Sequence, residues 1–414
     1  MEEYKTYTLE EISIGKGTYG IAASAVEYDP ALHTYLRITD INDDGTLNKS
    51  GLMSVDEENA GDYLLKPNDI VFARTGNSTG RAYFYDGSDG ELVYAGFLIK
   101  FSLDPNKVNP RIIKYYTHSK PYYDWVQSFD TGGTRGNINA KTYGNMPIVL
   151  PLRSTQDKIV EILKSIDDKI DVNKRINDNL EKQAYSLFTS WFVDFEPFKE
   201  GEFIDSEFGD IPSGWRVGAL SELGEIIGGS TPSKANKQYY TDNGIAWLTP
   251  KDLSIYPYKF TAKGEIDITQ EGYDSCSTKL MPKGSVLFSS RAPIGYITIA
   301  KNEICTNQGF KSVVPKLAGT AFIYYYLKST TQEIENKATG STFKEASGSL
   351  MKSLKTIIPS KIVLDDFEKL MKPILGKQEV VEEESRRLAQ LRDSLLPRLM
   401  SGELKVNELE NINC

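Results

Sequence analysis

The residues of this 414-residue chain best suited to chemistry are hydrogen-bond donors set among glycines, not acids, bases or nucleophiles. One group is ARTGNSTGRAYFY, residues 73–85, with Arg74 and Arg81, and TGGTRGNIN, residues 131–139, with Thr134, Arg135 and Asn137. The other is WLTPKDL, residues 247–253, with Lys251, then SSRAPIG, residues 289–295, with Arg291, and TGSTFKEASGS, residues 339–349, with Thr342 and Lys344. Guanidinium, ammonium, hydroxyl and amide donors suit phosphate oxygens and base edges, and glycines let the backbone approach closely. Each residue also has a plainer reading. A surface Arg such as Arg74, Arg81 or Arg291 more often pairs with a carboxylate beside a strand end, and Gly132, Gly133 and Gly340 can simply cap helices or close turns.

Other chemistries find little support. Only two histidines occur, His33 and His118, and no Cys or His spacing suits zinc. There is no Asn-Pro-Pro-aromatic stretch for gripping a flipped adenine, no glycine-rich strand-turn-helix for a cosubstrate and no phosphate loop of the Gly-Lys-Thr type. EIENK, residues 333–337, offers a Glu-x-Lys tail without a carboxylate pair to go with it. No cofactor or metal is expected, and a catalytic role is not.

Three cysteines (Cys276, Cys305, Cys414) and an opening MEEYKTYTLE without a cationic leader suggest a reducing compartment, the cytoplasm. No run approaches the roughly 18 apolar residues of a spanning helix, so no membrane is expected. The net charge of -9 argues at first against a nucleic-acid partner. It hides an asymmetry, because residues 213–359 carry 17 Lys and Arg against 12 Asp and Glu, whereas residues 1–152 carry 14 against 20. A basic segment inside an acidic chain permits anion binding, although such an excess is often only a solvated face.

The elements that must position these loops come in two copies. Thr131 and Thr339, Pro151 and Pro359, Leu180 and Leu388, and Ser186 and Ser394 are each 208 residues apart. Upstream, NDIVFARTGNSTG resembles GSVLFSSRAPIG, and AGF at Ala95 resembles QGF at Gln308. The chain is therefore a tandem duplication. In each copy short apolar runs such as DIVFAR, SVLFSSR and YITIA predict strands, while RIIKYYTHSKPYYDWVQSF and AFIYYYLKSTTQEIENKA have helical spacing, with Tyr115, Tyr116, Tyr324, Tyr325 and Tyr326 assigned to the core.

After Pro151 and Pro359, apolar residues recur in steps of three and four: Ile159, Ile162, Ile166, Ile176, Leu180 and Leu187, then Phe367, Leu370, Ile374, Val381, Leu388, Leu391 and Leu395. This predicts a coiled-coil seam interrupted by Asn173, Gln183, Lys377 and Glu384, polar residues that trade stability for register. Pro373 should kink the second helix or restart it. Residues 155–191 would span roughly 55 Å at about 1.5 Å per residue. The expected architecture is α+β: two similar globular domains separated by two long antiparallel coiled-coil helices with pseudo-twofold symmetry. The expected boundaries are 1–152, 153–198, 199–359 and 360–414. Packing of the helices is assigned to Ile159, Ile166, Leu180, Leu187, Phe367, Ile374, Leu388 and Leu395.

Paired readers on a rigid spacer match the two half-sites of duplex DNA. With the duplicated globules, the spacers, IPSGWRVGALSELGEIIGGSTPSK opening the second copy and LRDSLLPRLMSGELKV near the end, the chain resembles the specificity subunit of type I restriction-modification systems over its full length. The resemblance implies two target-recognition domains, each reading half of a split double-stranded DNA site, and helices that dock two methyltransferase subunits and, in the full complex, restriction subunits. It carries roles to Arg74, Thr134 and Arg135 in the first copy and to Arg291, Thr342 and Lys344 in the second. The first copy departs from the pattern at its start, where YKTYTLEEISIGKGTYG lacks a counterpart of Gly214-Trp215. Two other readings stand beside this one: a coiled-coil scaffold whose globules bind protein and no DNA, and one part of an enzyme whose catalytic portion is a separate chain.

Overall fold

The structure is a computed structural model and describes residues 4–129, 136–340 and 344–406. The chain forms two compact units, residues 1–169 with 387–414, and residues 170–386. Among the described residues no helix is long and apolar enough to cross a membrane.

In the first unit, strand Lys5–Thr8 pairs antiparallel with Pro147–Leu150 and closes the domain. Its four-stranded sheet has the order Thr18–Tyr19, Leu98–Ser102, Asp69–Ala73, Ala82–Tyr85. DIVFA lies wholly buried at a central position of this sheet, which is why it reads as a continuous apolar run and not an alternating one. A second sheet sets His33–Leu36 between Met53–Val55 and, in parallel, Leu92–Tyr94.

The second unit repeats this plan. Arg216–Ala219 pairs antiparallel with Lys355–Ile358. Its five-stranded sheet runs Gly224–Gly228, Lys311–Pro315, Val286–Ser290, Ile294–Ala300, Phe260–Thr261. Trp247–Leu248 pairs in parallel with Cys305–Thr306, as His33–Leu36 does with Leu92–Tyr94. Phe260–Thr261 is an addition of the second sheet; the order of the other four strands and the parallel pair are what a duplication leaves when buried register is kept, since a one-residue slip would turn every core side chain outward.

The helix expected over RIIKYYTHSKPYYDWVQSF is two helices, Pro110–Tyr116 and Lys120–Gln127. Pro121 has no N–H to continue the ladder, so the chain restarts from an extended Ser119. Its counterpart Thr320–Lys337 has no proline and is continuous. Tyr115, Tyr116, Tyr324, Tyr325 and Tyr326 are all buried.

Two long helices, Arg153–Phe192 and Lys361–Ser401, run antiparallel within each unit. In the second unit Asn173 meets Glu384 at one end, and Phe188, Trp191 and Phe192 meet Phe367 at the other. In the first, Ile159, Val160 and Leu163 share a core with Leu396, Leu399 and Met400. Lys361–Ser401 passes Pro373 without restarting. Phe367 and Met371 before it are fully buried and Ile374 and Leu375 after it pack on the same core, which outweighs one lost hydrogen bond.

The buried stripe is also phased differently from the expected seam. It runs Leu364, Phe367, Met371, Ile374, Gln378, Val381, so Leu370 is 40% exposed and Lys377 faces outward, the interior polar residue being Gln378. Likewise Leu391 is exposed and Leu396 buried, and Gln183 is exposed beside the buried Ala184. Of the expected packing residues, Ile159, Ile166 and Phe367 are buried, while Leu180, Leu187, Ile374, Leu388 and Leu395 are half-buried. Asn173 is buried as expected, its Nδ2 donating to Glu384 at 2.9 Å.

Charged clamps tie these helices to their domains. In the second unit Glu181 accepts from Lys259 Nζ at 2.6 Å and Tyr325 Oη at 2.8 Å and pairs with Lys328. Burial pushes the Glu181 carboxyl up, but the two ammonium groups outweigh it and hold it at about 2. Burial dominates at Lys259 and brings it down to about 8. The pair is therefore ionised at neutral pH, with Lys259 also lying 4.5 and 4.7 Å from the ring centroids of Tyr324 and Tyr325. The first unit uses the same parts at Asp167, which accepts from Tyr115 Oη at 2.9 Å and pairs with Lys114 and Arg392. Burial raises the Asp167 carboxyl, and these cations more than offset it.

Candidate nucleic-acid interface

At the end of the central strand in each unit the chain turns out of the sheet and is met by the segment that follows the threonine-glycine loop. Ala73 pairs with Leu98 and Ser289 with Phe310. The next carbonyls, of Arg74 and Ser290, accept from Ile138 N at 3.0 Å and Ala346 N at 2.9 Å. Ile138 and Ala346 are themselves 208 residues apart. Each is followed by a helix cap: Asn139 Oδ1 accepts from Thr142 N, and Ser347 Oγ from Leu350 N. In both units the segment that follows the threonine-glycine loop is thus anchored on the same strand end and runs into a capped turn.

This register shows that Arg74 and Arg291 are not counterparts. Arg74 corresponds to Ser290, and Arg291 to Thr75. The Arg74 guanidinium lies over the Tyr19 ring, 5.1 Å from its centroid, and its Nε has no hydrogen-bond partner among the described residues. Arg291 pairs with Glu345 at 3.4 Å, and Lys311 reaches the same carboxylate at 3.2 Å. Arg81 is held by Asp43 at 2.6 Å and donates to the Ile41 carbonyl at 3.1 Å, and Lys251 pairs with Glu265 at 3.0 Å. Arg81 and Arg291 thus have the carboxylate partners of the plainer reading, and Lys251 has one as well. Exposed pairs of this kind contribute roughly 0–1 kcal/mol, so phosphate can displace them at little cost. Asn137 and Lys344 are exposed on the loops, and Thr134, Arg135 and Thr342 lie outside the described residues.

The second unit contains an open cleft of about 930 Å³ that brings Arg291 and Lys251 together with Lys234, Lys237, Thr231, Asn307 and Gln308. Sequence reasoning missed these last five, although the cationic spacing in SKANKQYY after a glycine pair was a usable signal. Trp247 is buried, with its Nε1–H donating to the Ser230 carbonyl at 3.1 Å, so it shapes the cleft wall and does not offer a stacking face. In the first unit a smaller pocket of about 300 Å³ is lined by Asp43, Asn77, Thr79, Arg81, His118 and Tyr123 among others. Burial lowers the pKa of His118, which leaves it neutral there. Among the described residues no group of three or more His, Cys, Asp or Glu could hold a metal ion.

Two α+β units that share the order of four strands, each anchoring the segment after a donor-rich loop at the same strand end and each joined to long paired helices, define a duplicated recognition-domain protein. The chain belongs to the type I restriction modification DNA specificity domain family, whose profile matches residues 1–182 and 212–367. It is 40% identical over 193 residues to the type I restriction enzyme MjaIX specificity subunit of Methanocaldococcus jannaschii, a match covering 44% of each chain. It is 26% identical over 407 residues to the HindI specificity subunit of Haemophilus influenzae, covering 82% of this chain and 87% of that one. Among solved structures, the S subunit of a type I restriction-modification system from M. genitalium shares the fold over 96% of each chain, with a TM-score of 0.55 at 16% identity.

Proposed function

We propose that this chain is the DNA-reading subunit of a type I modification or restriction complex, each unit reading one half of a split double-stranded site. In this reading residues 1–152 and 199–359 are the target-recognition domains. The segments 153–198 and 360–414 are spacers that dock two methyltransferase subunits and, in a full complex, restriction subunits. The chain itself contributes no catalytic group; methylation and cleavage are supplied in trans, in the cytoplasm where the chromosome is.

The observation that carries the reading is the repeated anchoring, on Arg74 and Ser290, of the segments that follow the two loops, so that two different donor-rich stretches are attached to one shared frame. A fixed scaffold with a changeable rim is what sequence reading by interchangeable half-sites requires. Filter binding to random duplex with rising salt tests it. Affinity that falls steeply with salt, alone or with a methyltransferase subunit present, is expected; absent or salt-insensitive binding would favour a protein-binding scaffold instead. Inserting four residues in Arg153–Phe192 should change the unread gap in the methylated motif, and an unchanged motif would defeat the spacer role.

A further inference from the structure

The cleft of the second unit contains a feature that its duplicate lacks. Gln308 is exposed at the mouth, and its side-chain amide is hydrogen-bonded to the half-buried Thr231 hydroxyl. Both residues line the cleft together with Lys234, Lys237, Lys251 and Arg291.

The backbone beneath the pair is pinned on every side. Ser230 N donates to the Thr306 carbonyl at 2.9 Å, Asn307 N to Leu248 at 3.0 Å, and Gly309 N to Asn307 Oδ1 at 2.8 Å. A side chain at Gly229 would stand 2.1 Å from the Asn307 carbonyl, so this close approach of the two segments requires glycine. Gln308 is thus a long polar side chain on a rigid base, with one end of its amide already fixed by a hydroxyl. Fixing both backbone and amide before binding removes much of the ordering cost that makes a free glutamine a poor reader.

The register identifies the counterparts, and it shifts the AGF–QGF match of the sequence by one residue: Arg74 N donates to the Phe97 carbonyl and Ser290 N to that of Gly309, so Gln308 corresponds to Gly96 and not to Ala95. Gly20 in the first unit packs on the carbonyls of Tyr94 and Ala95, as Gly229 does on those of Thr306 and Asn307. Two residues on from each lie Ala22 and Gly96 in the first unit, and Thr231 and Gln308 in the second. A Cβ at Gly96 would contact Ala22 Cα at 3.4 Å, so the two positions adjoin in both units. The same place is a bare backbone in one copy and a locked hydroxyl–amide pair in the other.

We infer that Thr231 and Gln308 form a base-reading pair of the second unit, with Gln308 selecting an adenine in the major groove while the surrounding lysines hold phosphates. An amide presents one donor and one acceptor side by side, which matches adenine N7 and N6–H₂ and no other base edge as well. This inference rests on the DNA-reading function proposed above and adds to it the residue pair and the base.

The test uses the full chain, alone and with a type I methyltransferase subunit, to select bound duplexes from a randomised library. The wild type and the Gln308→Ala, Gln308→Glu and Thr231→Val variants are compared, with thermal melts confirming that each folds. Gln308→Ala should lose discrimination on the order of tenfold or more at a single A·T position in one half-site, leaving the other half intact. Gln308→Glu, which can only accept, should shift that position toward cytosine, and Thr231→Val should relax it to a lesser degree. An unchanged motif in folded variants, relaxation at a G·C position, or uniform weakening across both halves would overturn the inference while leaving DNA reading in place. A wild type that selects no motif under either condition would overturn both.

Discussion

The two units share a frame and differ at its rim. Strand order, the parallel pair, the loop anchors at Arg74 and Ser290, and even the carboxylate–tyrosine–lysine clamp on the long helix recur. At the sheet end that carries the loops, the second unit presents Thr231, Lys234, Lys237, Arg291 and Gln308. The first presents Ala22, Thr75 and Gly96, with Glu27 and Asp29 farther along the segment that follows Gly20. Its own cation, Arg74, has moved one residue back onto the Tyr19 ring. The lesson is that buried register resists change, because one slip inverts a whole strand, whereas an exposed rim position changes at little cost to stability. A duplicated reader can therefore diverge in what it reads while keeping how it is built.

The comparison can be broken most forcefully at the helix pairing. The second unit fastens its helices with rings, Phe367 being fully buried against Phe188, Trp191 and Phe192, where the first uses Ile159, Leu163, Leu396 and Leu399. Phe367→Ala should destabilise the second unit by about 3–5 kcal/mol. Calorimetry should then show one transition moved well below the other; a single transition shifted as a whole would mean that the units do not melt separately.

Next in size is the clamp. Glu181→Gln leaves Lys259 buried without its counter-charge and should cost about 3 kcal/mol at neutral pH. The pH dependence has a defined sign. Above about 4.5 the Glu181 contribution is complete; as pH falls from there toward about 2, the unfolded carboxyl takes up a proton that the folded one refuses, and stability is lost. Burial raises the carboxyls of Glu368 and Glu382, which work in the opposite direction as they protonate. Denaturant melts at several pH values should show a steeper acid loss in wild type than in Glu181→Gln, and parallel curves would refute the clamp.

A smaller effect separates the two arginines. Arg291→Ala should relax recognition in one half-site by about 1–3 kcal/mol with subunit assembly intact, and Arg74→Ala should do so in the other half. Methylome sequencing reads both, and loss of assembly in either variant would mark that residue as structural. The smallest effect is expected at Lys251, whose partner Glu265 already half-neutralises it. Lys251→Ala should lower affinity evenly across sequences and reduce the salt slope by about one, which titrations at several salt concentrations would detect.

Much of this was legible in the chain itself. The duplication, the strands at DIVFA and VLFSS, the buried tyrosines and the two long helices all follow from patterns repeated locally, and local patterns survive in sequence because neighbours in the chain are neighbours in the element. The heptad phase was harder to read. Leu370 and Met371 are both apolar, and only the position of the core they pack against decides that Met371 is buried in it while Leu370 stays 40% exposed. The same holds for Gln378 against Lys377.

The site divides along the same line. The amino-acid order alone singled out Arg74, Arg291, Lys251 and the two threonine-glycine loops, because donors and glycines cluster within a few residues of one another. Tertiary structure alone decided that Arg291 faces Glu345, that Arg74 matches Ser290 and not Arg291, and that Thr231 and Gln308, 77 residues apart, meet across one cleft. Those pairings are set by sheet register, a long-range property: strands far apart in the chain choose their alignment by burying their apolar faces together, and polar residues at the rim are carried wherever that alignment puts them.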